Sequence, residues 1–343
     1  MRVPIIILAL LLVCGTTFAQ VNWTNEPIIL KQIKGSTIRS VTVKTLAGNI
    51  AVIGTNAQPS IEVYVDAINE ATSSKAELKR FVEQDYAIDM VVIDHQLTVS
   101  ATCKYGDSNW KKAVSISFKI FVPRSVVCNL NSKSGSVSLV NLDGNQTFAT
   151  NGAVNLEQVT GIVRGHTGNG DINVSNTGPD IDLATTDGNI VAVNCQGKVK
   201  LKTDQGSINL SRLKGTIDAT TTAGNIQSDE IDGTFNTETT VGDITLKRMA
   251  CHLNATTASG TINAELSKNC KSIKLNASEG DANITIPAKD GFNLNFEGKS
   301  VTGDMPKKFS GTNDGKKLLG AVYGGGIPVE VHAVSGEVKV QFI

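Results

Sequence analysis

The sequence is short of the large side chains from which ordinary cores are built. Aromatics make up 5% of its 343 residues, with two tryptophans and four tyrosines, and there are only eight prolines. A conventional two-layer domain of this length needs more bulk inside, so these scarcities argue for a thin aliphatic core. An excess of charge is also missing: 32 Lys and Arg balance 32 Asp and Glu. That removes the whole-molecule electrostatic case for nucleic acid or an anionic membrane as a partner. The four histidines, His95, His166, His252 and His332, are scattered, with no two at metal-ligand spacing. There is no GxSxG, no P-loop and no dinucleotide fingerprint. No catalytic, cofactor-binding or metal-binding residue is therefore assigned, and no cofactor is expected.

What the chain has is glycine at a fixed period. Gly135, Gly152, Gly170, Gly188, Gly206, Gly224, Gly242 and Gly260 follow one another at 17 and then 18 residues. Two residues beyond each stand Val137, Val154, Ile172, Ile190, Ile208, Ile226, Ile244 and Ile262. Four beyond stand Leu139, Leu156, Val174, Ala192, Leu210, Ser228, Leu246 and Ala264, with polar residues between. Alternation of this kind marks strands with one face in a core. Further apolar columns lie seven on (Leu142, Val159, Cys195, Leu213) and eleven on (Val163, Ile181, Val199, Ile217), so each coil carries at least two strands. The fold expected is all-β: a single-chain parallel β-solenoid with coils of about 18 residues stacked at roughly 4.8 Å. Glycine belongs where such a short coil turns sharply or where backbones come close. Thr167, Thr185, Thr203, Thr221, Thr239 and Thr257, three residues before each glycine, read as a hydroxyl ladder at a corner.

In chain order, Met1 to Ala19 reads as a secretory signal peptide: Arg2, an apolar run from Val3 to Val13, and Thr17-Phe18-Ala19 before Gln20. The run is too short to span a bilayer, and nothing after it is longer. Residues 20–343 then form the solenoid domain. Degenerate coils occupy 28–132, regular coils 133–282, a lysine- and glycine-rich insertion about 298–320, and closing coils 324–343. Within the first of these, Ala76, Leu78, Phe81 and Val82 fall at helical spacing behind Ser73 or Ser74 as N-cap. They predict one short helical excursion near residues 73–86, shielding the first coil's open edge. The insertion is either a mobile loop or a lateral contact surface.

Without Cys14 in the signal, five cysteines remain: Cys103, Cys128, Cys195, Cys251 and Cys270. Cys195 falls in the seven-on column and reads as a buried, unpaired thiol. Cys251 and Cys270 lie about one coil apart, which puts a disulfide between them within reach, with Cys103 and Cys128 as a weaker second pair.

The glycine-x-isoleucine-x-leucine coils, the Val122-Pro123 entry, the triple glycine at Gly324 and the closing Ser335-Gly336-Glu337-Val338 resemble the bacterial putative-adhesin family of secreted β-strand-repeat domains, the DUF4097 type. The resemblance runs from about Ile38 to Ile343. It implies an envelope-associated β-solenoid with no established reaction and brings no set of functional residues with it.

Other chemistry can be weighed from the residues. Thr167-Gly168-Asn169-Gly170-Asp171-Ile172 resembles the calcium-binding nonapeptide of β-roll toxins. The residue after the glycine is, however, carboxylic in only Asp171 and Asp243 of the eight coils, too few for six to eight oxygen ligands per ion. Lys198, Lys200 and Lys202 form the densest basic row, and Asp180, Asp182 and Asp187 one coil earlier are placed to pair with them. Acids and bases are otherwise spread thinly. The expectation is a non-enzymatic envelope scaffold, exported to the periplasm, outer membrane or cell surface, whose polar outer faces bind a glycan or an envelope protein. The alternative is a carbohydrate-active β-helix enzyme acting on an extracellular polysaccharide, which requires a cleft of converging acids and bases.

Overall fold

The computed structural model describes residues 23, 26–34, 37–67, 74–104, 114–288 and 290–343. The expected signal peptide lies outside them, as do Ser73 and Trp110. Among the described residues, twenty-six strands are joined by hydrogen bonds into one continuous sheet, accompanied by one helix. The sheet wraps into two facing runs. The front run passes from Ile50–Gly54 through Val137–Leu142, Val154–Val159 and Ile190–Val193 to Ala282–Ile286. The back run passes from Ser40–Ala47 through Val127–Ser134, Gln146–Thr150 and Gln196–Gln205 to Ser272–Glu279. Three 16-residue strands, Ile208–Ala223, Ile226–Val241 and Ile244–Ser259, go round the bend and belong to both.

The columns stack as the sequence predicts. Ile172, Ile190, Ile208, Ile226, Ile244 and Ile262 lie in parallel register, each fully buried. Facing them from the back run are Val163, Ile181, Val199, Ile217, Phe235 and Leu253, at most 3% exposed. One apolar cluster runs the length of the molecule between the runs.

The glycine column is set by close approach between coils. A Cβ at Gly206 would sit 2.1 Å from the carbonyl oxygen of Gly188, which no side chain survives without moving backbone. That carbonyl also accepts the Thr203 hydroxyl at 2.8 Å, and the threonines at 167, 185, 221, 239 and 257 do the same for their own coils' glycines at 2.7 to 3.0 Å. The residue after the glycine forms a second ladder. Asp171 accepts the backbone N–H of Asn189 (2.7 Å), Asn189 that of Ser207 (2.9 Å), Asn225 that of Asp243 (2.8 Å) and Asp243 that of Thr261 (2.8 Å). A third column was not visible in advance: Asn141, Gln158, Asn176, Asn194, Arg212, Glu230 and Arg248 all take φ between 51° and 62°. One left-handed residue per coil thus makes the bend between the runs.

Both ends depart from simple winding. The coil made by Ser40–Ala47 and Ile50–Gly54 lies between Val127–Leu142 on one side and Gln96–Cys103 with Val114–Val122 on the other. The chain therefore winds outward and then crosses back, rather than adding degenerate coils in sequence order. Beyond, antiparallel strands close the end: Tyr86–Ile93 on the back run, and Ser60–Ala67 followed by Ile29–Gln32 on the front. The Lys31 ammonium donates to the Met90 carbonyl at 2.7 Å, tying the two edges together. The helix, Lys75–Asp85, starts at a Ser74–Glu77 capping box and tucks Val82 into the core. It lies against Ser60–Ala67 and Tyr86–Ile93, a cap on the outermost coil.

At the other end, Ile327–Phe342 slots between Ser272–Ile286 and Phe292–Thr302. Most of the 298–320 stretch is strand rather than a mobile loop. Phe309–Asn313 and Lys317–Val322 form an antiparallel hairpin that extends the back run past Phe292–Thr302, with Leu318 and Val322 fully buried. Gly320 between those two inward residues, and Lys316 and Lys317 just before them, hide the alternation. The Cys251–Cys270 disulfide is also corrected. Register places Lys271 beside Cys251, because residues inserted before Ser272 carry Cys270 into the preceding turn, and both cysteines are buried free thiols. Cys128 is likewise a buried free thiol, so the second pair does not form, and Cys195 fills the core column expected of it.

Candidate functional site

The outward rows of the back run carry the polar surface. Across neighbouring strands, Lys44, Asn131, Ala149 and His166 fall in one row. Beside them Lys133, Asn151, Leu46 and Thr102 complete the wall of a shallow groove of about 410 Å³. The small Ala149 between Asn131 and His166 leaves the dip. In its floor the hydroxyls are committed inward: Thr45 donates to the Ile116 carbonyl (3.1 Å), Ser132 to Gly48 (2.8 Å) and Thr150 to Gly135. The Asn151 amide donates to the Lys133 carbonyl at 3.0 Å, which fixes its side chain at the rim. Two ammonium groups, one imidazole and two carboxamides thus converge there, and among the described residues no carboxylate lines the groove.

The basic row singled out in the sequence is different in kind. Lys200 pairs with Asp182 (3.7 Å) and Lys202 with Asp204 (3.3 Å). Asp180 accepts from the Arg164 guanidinium at 2.5 Å, and that hydrogen bond holds its carboxyl below the usual range. This is a solvated strand face with its charges matched. Asp171 and Asp243, weighed for calcium, accept backbone amides instead. His95 contacts the Thr37 carbonyl and His252 the Ser272 hydroxyl, each at 2.8 Å, so of the histidines only His166 faces the groove.

At the far end of the back run a second groove of about 380 Å³ is lined by Asn293, Asn295, Ser310, Leu319 and Glu330, with a carboxylate and no cation. Near the front run's first strands, Trp23 lies over Tyr64 with ring centroids 4.6 Å apart, and the Lys119 ammonium sits 5.8 Å from the Trp23 ring. Burial, helped by the hydrogen bond to Glu62, pushes the Tyr64 phenol up to about 12.

Sequence reasoning did not find the groove, because Lys44 reaches Asn131 only through the crossed winding at this end. Its one local trace is the 17-residue step from Gly135 to Gly152, which shortens the coil that supplies Ala149 and Asn151.

Residues 199–341 match the model of the Toastrack DUF4097 family. The match is to the family that the glycine coils resemble. The DUF4097 span takes in the later regular coils, the C-terminal hairpin and most of Ile327–Phe342. The groove lies outside it, on coils that share the same stacking. Solved structures similar to the chain include a putative cell adhesion protein of Clostridium sporogenes, 10% identical over 92% of this chain and 98% of its own, at a TM-score of 0.20. A putative adhesin of Bacteroides fragilis is 12% identical over 91% and 96%, at 0.28. A putative lipid binding protein of Parabacteroides distasonis is 12% identical over 93% and 98%, at 0.29. Superpositions this loose carry nothing about function. No curated protein matches the chain.

Proposed function

We propose that this chain is an exported, non-catalytic binding scaffold of the cell envelope, an adhesin-type DUF4097 protein that offers its polar outer faces to a glycan or an envelope protein. The observation that carries this reading is the groove at Lys44, Asn131, Lys133 and His166: broad, shallow and lined by groups that bind rather than react. Glycosidic cleavage needs a pair of carboxyl groups, one on each side of the bond, and uronate elimination needs a base beside the sugar's acidic carbon. The groove's lining offers no carboxylate, and the acids of the lysine row are engaged with their neighbours.

The experiment is to incubate residues 20–343 with envelope polysaccharide, measuring retention on the polymer and release of reducing or unsaturated ends together. Retention without release is the expected result. Release that grows with time and enzyme amount would replace the scaffold with the carbohydrate-active reading.

A further inference from the structure

We infer that the second groove, at the far end of the back run, takes a sugar free of acid groups, with Glu330 and Asn295 accepting hydrogen bonds from its hydroxyls and Leu319 and Pro328 meeting its C–H faces. This rests on the scaffold reading and adds a ligand class at a place that reading does not use.

The groove is built by four neighbouring strands. Register sets Pro328, Asn293, Ala321 and Ser310 in one outward row, and Glu330, Asn295 and Leu319 in the next. Ala321 is the small side chain between Asn293 and Ser310, so the surface dips over it, and the lining encloses about 380 Å³. Strand spacing carries the first row across roughly 14 Å, and the rows lie roughly 7 Å apart along the strands. That footprint suits a short sugar chain rather than a single ion.

The polar groups of the lining are short of donors. Asn295 Oδ1 is buried with no hydrogen-bond partner, whereas buried polar atoms in folded proteins are as a rule paired. Glu330 forms no ion pair among the described residues, although Lys274 stands beside it in register; Glu297, one row along, pairs with Lys317 at 3.6 Å. The Asn293 carboxamide donates to the Gly326 carbonyl at 3.2 Å, which leaves its oxygen to accept. A fitting guest must bring O–H or N–H groups, and adjacent hydroxyls on one ring can meet a carboxylate and a carboxamide that stand side by side. An acidic sugar brings the wrong charge to Glu330, since no cation lines the groove.

The apolar part of the wall decides between a sugar and a bare cation. Leu319, 54% exposed, stands with Pro328 and Ala321 around the dip. A pyranose carries hydroxyls at its rim and C–H groups on its faces, which matches a few placed polar groups on an apolar wall. An ammonium ion would satisfy the acceptors and leave that wall unused.

The test compares the full chain with Ala321→Phe, Glu330→Gln and Asn295→Leu, and with Glu297→Gln on the same face outside the groove. Binding is measured by calorimetry to the neutral probes cellotriose, mannotriose, galactotriose and N-acetylchitotriose, to trigalacturonate and to butylammonium, and thermal unfolding confirms that each variant folds. The expected result is that at least one neutral trisaccharide binds, with an affinity that changes less than about twofold between about 50 and 200 mM salt, and that trigalacturonate does not. Ala321→Phe fills the dip and should lose about tenfold or more, as should Glu330→Gln and Asn295→Leu, while Glu297→Gln stays within about twofold. Asn295→Leu should also unfold no earlier than the parent, because the oxygen it removes had no partner to lose.

No neutral probe bound, trigalacturonate bound as well as the neutral sugars, butylammonium bound alone, or full affinity kept by Ala321→Phe or by Asn295→Leu would each overturn the inference. The scaffold reading survives any of these if the chain is still retained on envelope polysaccharide. A chain that binds no probe and is not retained would overturn both.

Discussion

From Gly135 to Gly242, threonine closes each coil by donating its hydroxyl to the carbonyl of the glycine that opened it, and each of these threonines is buried. Thr221 is 1% exposed and reaches the Gly206 oxygen at 2.9 Å. Thr221→Val keeps the shape and removes the donor, so it should cost about 1 to 2 kcal/mol, while Thr221→Ser should recover much of that loss. Urea midpoints of the two variants check it. The isoleucine column gives a sharper contrast. Ile208→Asp puts an unpaired charge into a fully buried place and should destabilise by about 4 kcal/mol or more. Asn209→Asp, one residue along and facing out, should shift the same midpoint by less than about 0.5 kcal/mol.

The buried thiols make stability depend on alkali. Burial pushes Cys128 and Cys251 up to about 12, and Cys195 and Cys270 to about 11, from an ordinary 9.0. Between those values the unfolded chain gives up protons that the folded chain keeps. Their contribution is therefore fully present below pH 9 and is lost as pH rises from about 9 toward 12. Unfolding midpoints at pH 8 and pH 10.5 should show the decline, and replacing Cys128 with alanine should make it shallower. In the native protein at pH 8, these four thiols should stay unreactive to a disulfide reagent until denaturant is added.

Among the elements, what repeats was legible and what occurs once was not. The isoleucine and glycine columns could be read because the same physical demand recurs in coil after coil, and the Ser74 cap because a capping box is local. The bend column went unread: Asn141, Asn176 and Asn194 suit a left-handed residue, but Arg212, Glu230 and Arg248 give no hint of one, so no column stands out. The hairpin at 309–322 was missed because Gly320 interrupts an inward row of only three positions. The groove was missed because its wall comes from segments brought together by winding out of sequence order.

That hairpin has its own testable role. Phe309–Asn313 is short, half to fully exposed and flanked by Lys307, Lys308, Lys316 and Lys317, the features that keep an edge from pairing with another chain. Removing 306–323 and joining the ends with a flexible linker should expose the longer Phe292–Thr302 edge. The expected outcome is concentration-dependent association seen by light scattering at a protein concentration where the intact chain stays monodisperse.

At the scale of the molecule, a stack of coils ordinarily frays from its ends, each outermost coil leaving alone. Here the end coils are clasped. Segment 40–54 is gripped by Gln96–Cys103 and Val114–Val122 on one side and by residues 127–142 on the other, and segment 292–302 has Ile327–Phe342 between it and the rest. Native-state hydrogen exchange should therefore show the amides of 292–302 and 327–342 opening together, with similar protection, rather than in graded order from the outside.

The clasp also decides when the molecule can be finished. Phe292–Thr302 and the hairpin beyond it have nothing to dock against until Ile327–Phe342 has been made, because that later strand forms the seat between them and Ser272–Ile286. A chain emerging from its N-terminus thus has its regular coils able to zip one after another, while some thirty residues wait, apolar edges uncovered, for the strand that admits them.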